Sequence, residues 1–316
     1  MTRTPIRITV AVSIAASAVL VAATPGAGSD KPTGSVSVVA RIETGNGPCS
    51  EVGGFGYLWV ANNRDGTLVR IDPATNAVTG KIDVGPGPCG VAIAGGSVWV
   101  DGYSSASVVR VDPQTLKVIK RIPMGDEIWD ITVGAGSVWA TGTQSNFVAR
   151  INPRTNKVTR KISVPGFNGP ANLRYGAGAV WVGALLGRKI YRINPRTNKL
   201  RSILVGKAPR SVAVSNTAVW VSNAKSNTVS RINPRRLRVV ATIRVGKAPD
   251  NAAIADDGTV FVPNNGSNTV SRIDPATNHV IEVVPVGRGP FPAAAAFGDI
   301  WVPSAAGTEI DRLHIG

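Results

Sequence analysis

With 316 residues, 43% of them hydrophobic and 17% charged, the chain is too apolar for a disordered segment and long enough to bury a large core. Its two cysteines and two histidines exclude a disulfide-dense scaffold and a zinc centre built from clustered Cys and His. The formal net charge of +16 directs attention to anionic partners.

In chain order, Arg3 and Arg7 precede an apolar run from Ile8 to Ala23 that ends in Val21-Ala22-Ala23. A basic start, an apolar stretch and small residues before a cleavage point predict a secretory signal over residues 1–23, and hence an extracellular protein. The run is short against the roughly 20 residues needed to cross a bilayer. Residues 24–37 are rich in Gly, Pro and Ser and are expected to form a flexible lead-in.

From residue 38 to 316 a unit of about forty residues recurs seven times. Its marker is an aromatic-Val pair at Trp59, Trp99, Trp181, Trp220, Phe261 and Trp301, with Trp139-Ala140 as the variant, so successive copies lie 40, 40, 42, 39, 41 and 40 residues apart. An arginine before an aliphatic residue follows each one: Arg70, Arg110, Arg150, Arg192, Arg231, Arg272 and Arg312. Its presence in every unit points to a structural role. Short alternating strands with this period predict an all-β fold, a seven-bladed β-propeller of four-stranded blades. Within one unit the strands are expected at Val91 to Ala94, Ser97 to Val100, Val108 to Val111 and Val118 to Ile122, with an Asp-Pro turn at Asp112-Pro113. The second-strand tryptophans are expected to pack between blades.

The last unit ends after a third strand near Glu309 to Leu313. The segment Val38 to Gly45 matches the fourth strands of the other units. It is therefore expected to pair into the last blade and close the ring, removing an exposed edge.

The blade signature, Trp-Val and then Asn-Thr-Val-Ser-Arg-Ile-Asn-Pro as at Trp220 and Asn227 to Pro234, resembles that of the YVTN-type repeat propellers and of the virginiamycin B lyase-like group among them. The resemblance runs from about Val38 to Gly316. It implies a C-O lyase that opens a cyclic lactone with a mouth histidine as base and acidic residues holding magnesium. Here no histidine follows a repeat proline, and the residues three beyond each aromatic, Asn62, Gly102, Gly142, Ala184, Asn223, Asn264 and Ser304, include no acid. No catalytic residue, cofactor or metal site is assigned, and a binding or interaction module is expected in place of the enzyme. A purely structural surface protein is the third reading.

Propellers present ligand contacts where the chain enters each inner strand. In this ring the positions after the repeat proline hold acids, bases, amides and aromatics. Glu51, Trp129, Asp130, Asn172, Arg174, Arg210, Asp250, Asn251 and Phe291 are the candidate ligand contacts at the channel mouth. Such unevenness is also what drift in loops produces. Cys49 and Cys89 occupy equal offsets in adjacent blades and are expected to form a disulfide. That bond requires the two inner strands to bring the Cα atoms within about 7 Å.

From Ile131 to Pro249 there is no Asp or Glu, against 21 Lys and Arg. Arg154, Lys157, Arg196, Lys199, Arg235, Arg236 and Arg238 fall on outer hairpins, where the Asp-Pro turn becomes Asn-Pro. The sector is a candidate contact for a polyanion, an anionic cell-wall polymer or lipid headgroups in preference to nucleic acid in an exported protein. The plain alternative is a solvated surface that keeps the protein soluble.

Overall fold

The computed structural model describes residues 34–166 and 169–316. The expected signal over 1–23 and residues 24–33 of the expected lead-in lie outside the described residues. Twenty-eight strands form seven antiparallel sheets of four, each the blade of a propeller, with no helix among the described residues. The second blade, Val91–Ala94, Ser97–Gly102, Ser107–Val111 and Val118–Pro123, follows the expected strands closely.

The outer hairpins form because the residue opening each turn has a short polar side chain that caps it. Asp112 Oδ1 accepts from the Gln114 and Thr115 amides at 2.8 and 3.0 Å, and Asn152 Oδ1 accepts from the Arg154 amide at 2.8 Å. Asn194 and Asn233 repeat the contact. Asn thus does the geometric work of Asp without its charge. The fourth residue onward sits in the left-handed region in every such turn, as at Asn76, Leu116, Asn156, Asn198, Leu237 and Asn278. Asn, which tolerates that region best among residues with a Cβ, fills four of the six.

Each second-strand aromatic is buried against the sheet of the neighbouring blade. Trp59 packs on Val91, Val98, Val100, Val109 and Val111 of the next sheet. Its indole N–H donates to the Gly54 carbonyl at 3.0 Å, and Trp99, Trp139, Trp181 and Trp301 make the equivalent bond. The repeated arginine stands opposite the aromatic in strand register and lies over an aromatic ring, as Arg150 does over Trp139. In five of the seven copies its guanidinium then crosses to the next blade and donates to the turn-proline carbonyl, as from Arg110 to Pro153 and from Arg150 to Pro195, both at 2.9 Å. The repeated arginine is therefore a latch between blades.

Closure follows the expected route. The seventh sheet is ordered Val36–Glu43, Glu309–Ile315, Asp299–Pro303, Ala294–Ala296. The closing strand begins at Val36 and ends at Glu43, two residues earlier than expected at each end. Residues 34–37 are thus held to the ring, in contrast to the expected flexible lead-in through 37. The Val36 amide donates to Glu282 Oε1 at 3.0 Å, and Arg272 reaches the Gly34 carbonyl, which replaces the turn-proline carbonyl that the broken last hairpin lacks.

The inner strands of the sixth and seventh blades are short, Ala253–Ile254 and Ala294–Ala296. Proline occupies the facing second strand at Pro263 and Pro303. Neither can donate a ladder hydrogen bond, so regular pairing stops below them.

Candidate functional site

The inner strands enter the channel through irregular register at Pro48/Ser50, Ile128/Ile131, Pro170/Leu173 and Pro209/Ser211. An irregularity there turns the polar side chains of the first positions inward, toward one another. Asp130 is buried, and its Oδ2 accepts from Arg174 Nη1 at 2.6 Å, the Leu173 amide at 3.1 Å and Asn172 Nδ2 at 3.2 Å. Asn172 Oδ1 lies 3.3 Å from Ser211 Oγ, which donates to Asp250 Oδ1 at 2.6 Å. Arg210 Nη1 is 3.3 Å from Asp250 Oδ2. With its amide oriented to donate to the Val212 carbonyl, Asn251 accepts from Arg174 Nη2.

Asp130, Asn172, Arg174, Arg210, Asp250 and Asn251 are thus one network spanning four blades, and the acids and bases expected at an open mouth mostly satisfy each other. Two of the 21 sector cations, Arg174 and Arg210, are paired with acids that flank the sector in sequence.

Asp101, which was not among the sequence candidates, extends this cluster. Its carboxylate accepts the Cys89 and Gly90 amides at 2.9 and 2.8 Å. A Cβ on Gly90 would stand 2.5 Å from Asp101 Oδ2 and 2.6 Å from Asp130 Oδ1, so glycine there lets the two acids approach. Burial, with the neighbouring Asp130 carboxylate second, pushes the Asp101 carboxyl well above the usual range. The signal was legible in register. Position 101 is the only acid in a column that reads Ala61, Asp101, Thr141, Gly183, Ser222, Pro263, Pro303.

Below this network the channel holds a cavity of about 450 Å³, lined by Glu51, Ile93, Thr132, Arg174, Tyr175 and Ala253 among others. Glu51 is 5% exposed, and among the described residues neither carboxylate oxygen has a hydrogen-bond partner. Burial holds its carboxyl well above the usual range, against a smaller opposing pull from the Arg174 charge. Its raised pKa makes Glu51 favour folding while protonated, below the ordinary carboxylate range, and that contribution is lost as pH rises through the folded value. Glu51→Gln keeps the shape and abolishes the titration. Its melting temperature should match that of the wild type near about pH 4 and exceed it increasingly toward about pH 8. A difference that stays flat across that range in thermal melts would show that Glu51 ionises normally.

The opposite end of the channel carries two adjoining hollows. One, of about 200 Å³, is lined by Cys49, Asn63, Cys89, Tyr103, Trp129 and Phe291. The other, of about 260 Å³, shares Cys49, Asn63 and Phe291 and adds Arg64, Arg210 and Asn265. Trp129 and Phe291 therefore border open space, although Trp129 lies within the strand Ile128–Gly134 and not in the preceding loop. Cys49 and Cys89 are disulfide-bonded with Cα atoms 5.0 Å apart, inside the limit for a bridge between neighbouring inner strands. Tyr103, Asn63, Arg64 and Asn265 come from the loops after the second strands, outside the positions that follow each repeat proline.

The hairpin cations Arg154, Lys157, Arg196, Lys199, Arg235, Arg236 and Arg238 are exposed on three successive blades, and none forms an ion pair among the described residues. Antiparallel alternation puts these hairpins on the face away from the aromatic hollows. The two histidines are peripheral: His279 begins an outer strand, and His314 Nδ1 lies 2.7 Å from Asp299 on the last strand. Among the described residues no cluster of His, Cys, Asp and Glu is arranged to hold a metal ion.

The ring superposes on a streptogramin B lyase with a TM-score of 0.79 at 14% identity, covering 89% of this chain and 98% of that one. The chain shares its fold with the virginiamycin B lyases. A catalytically inactive histidine-to-alanine form of virginiamycin B lyase from Staphylococcus aureus, solved with quinupristin, gives a TM-score of 0.79 at 17% identity, over 89% of this chain and all of that one. Hydrazine synthase from Kuenenia stuttgartiensis matches at 0.75 and 18% identity, over 86% and 96%. At these identities the likeness is one of fold. A glutamine cyclotransferase family model matches residues 67–218, a little under half of the chain. No curated protein matches the sequence.

Proposed function

We propose that this protein is an exported β-propeller that acts as a binding module, holding a small ligand at the aromatic mouth and laying its basic sector on an anionic cell-wall polymer or on lipid headgroups of the same charge. Seven exposed hairpin cations, unpaired among the described residues, lie on one face of three consecutive blades and carry this reading. Their mutual repulsion is relieved when a polyanion replaces loosely held counterions. The disulfide fits an oxidising compartment, and no helix among the described residues is long and apolar enough to cross a membrane.

Binding of this kind falls with salt. If about six charges are neutralised, affinity for a densely charged polymer should drop roughly a thousandfold between about 50 and 200 mM salt, and less steeply for sparser wall polymers. A variant carrying Arg154→Glu, Arg196→Glu, Arg235→Glu and Arg236→Glu should lose retention on teichoic acid or heparin columns. It should melt as the wild type does, because these side chains project from exposed turns. Equal retention of both proteins would leave the charge with no role beyond solubility.

A second reading, acid–base chemistry in the channel, is favoured by one observation. Glu51 is a buried carboxyl with a raised pKa, no hydrogen-bond partner and a place in the wall of a cavity. A lyase on this fold would use Glu51 where a histidine base is absent from the channel.

A further inference from the structure

We infer that the groove over the channel mouth binds an acidic saccharide, a pyranose ring carrying a carboxylate; this rests on the mouth being the ligand site. The two hollows adjoin at Cys49, Asn63 and Phe291, which line both, and give the mouth an aromatic end and a cationic end. At the aromatic end Tyr103 and Trp129 meet nearly at right angles, their planes 84° apart and centroids 5.8 Å apart. A flat aromatic ligand can stack on only one of two perpendicular rings. A sugar chair has thickness and turns its slightly positive C–H bonds toward the negative ring faces on more than one side, so it fits such a corner.

Hydroxyl partners stand at the rim. The Tyr103 hydroxyl is hydrogen-bonded to Glu127, which raises its pKa, and Gln144 Nε2 donates to Glu127 at 2.8 Å. Carboxylate, amide and phenol together offer both acceptors and donors to ring hydroxyls.

The other end selects charge. Arg64 is exposed and has no ion-pair partner among the described residues. Arg210 is half committed: one nitrogen reaches Asp250 at 3.3 Å, while its Nε is buried without an acceptor. Two guanidiniums in the lining of one hollow, Arg64 free of any ion pair among the described residues, suit an anionic group. One free positive charge and one partly neutralised by Asp250 match a monovalent carboxylate better than a dianionic phosphate.

The test measures binding of a glucuronic acid disaccharide and of cellobiose, its neutral counterpart, by calorimetry and Trp fluorescence on the full mature chain. The acidic sugar should bind at least tenfold more tightly than the neutral one. Trp129→Ala and, separately, Tyr103→Ala should each weaken it tenfold or more with unchanged melting, and Arg64→Gln should remove the preference for the acid. The hairpin charge-reversal variant should bind it as the wild type does, since those residues lie on the other face. Equal affinity for the two sugars, or binding untouched by both aromatic variants, would overturn the assignment. Benzoate perturbing Trp129 while neither sugar does would keep the mouth as a ligand site and sink the saccharide; silence from all three probes would sink both.

Discussion

Removal of residues 34–43 should abolish the soluble monomer. The strand Val36–Glu43 pairs along its length with Glu309–Ile315, from Val36 opposite Ile315 to Glu43 opposite Glu309. Without it the last blade presents an unpaired edge, the template on which another chain adds. The deletion also removes Ile42, which packs with Leu58, Trp301 and Ile310 where the seventh blade meets the first. It takes away the Gly34 carbonyl that satisfies Arg272 as well. The expected outcome in size-exclusion chromatography is aggregate, with no cooperative melt. A milder variant isolates the packing from the edge: Ile42→Ala should remain monomeric and lose about 2–4 kcal/mol. A deletion variant that elutes as a monomer and unfolds cooperatively would show that the ring does not depend on this closure.

Replacing both cysteines, Cys49→Ala with Cys89→Ala, should cost about 4 kcal/mol, the chain-entropy value for a loop of about forty residues, and lower the melting temperature by roughly 10 °C. The fold should survive, because the ring is closed elsewhere by the N-terminal strand. The bond ties the starts of the first two inner strands at a Cα separation of 5.0 Å and forms part of the wall of both mouth hollows. A fall in stability should therefore be accompanied by weaker ligand binding at the mouth. Non-reduced peptide mapping gives the direct check: linked Cys49 and Cys89 peptides are expected, and two freely alkylatable thiols would contradict the bridge.

Periodicity carried most of the architecture. A strand has one buried face per repeat whatever its neighbours, so the six aromatic-Val pairs and the Trp139-Ala140 variant could be counted and their burial inferred without knowing which sheet each aromatic touches. The missing fourth strand and its replacement near residue 38 were legible for the same reason, since a closing strand must match the strands it imitates. The repeated arginine was recognised as structural from its regularity alone. Its partner, a proline carbonyl some forty residues onward in the next blade, was not.

The site was legible only as a set of positions. Offsets from each proline selected Glu51, Asp130, Asn172, Arg174, Arg210, Asp250 and Asn251 as one ring of polar residues. The sequence could not say that Asp130, Arg174, Asn172, Ser211 and Asp250 would satisfy one another, because that depends on irregular register turning side chains across the channel axis. Nor could it separate Glu51, buried beside the channel cavity without a partner, from acids that are fully bonded. Tyr103, Arg64 and Asn265 reach the mouth from loops of three different blades, a meeting set by ring closure. By itself the sequence determined the repeat, the blade count, the closing segment and the asymmetry of charge, all of which follow from local pattern. Tertiary structure decided which polar groups are spent on each other and which are left unpaired, because that depends on distances between blades far apart in the chain.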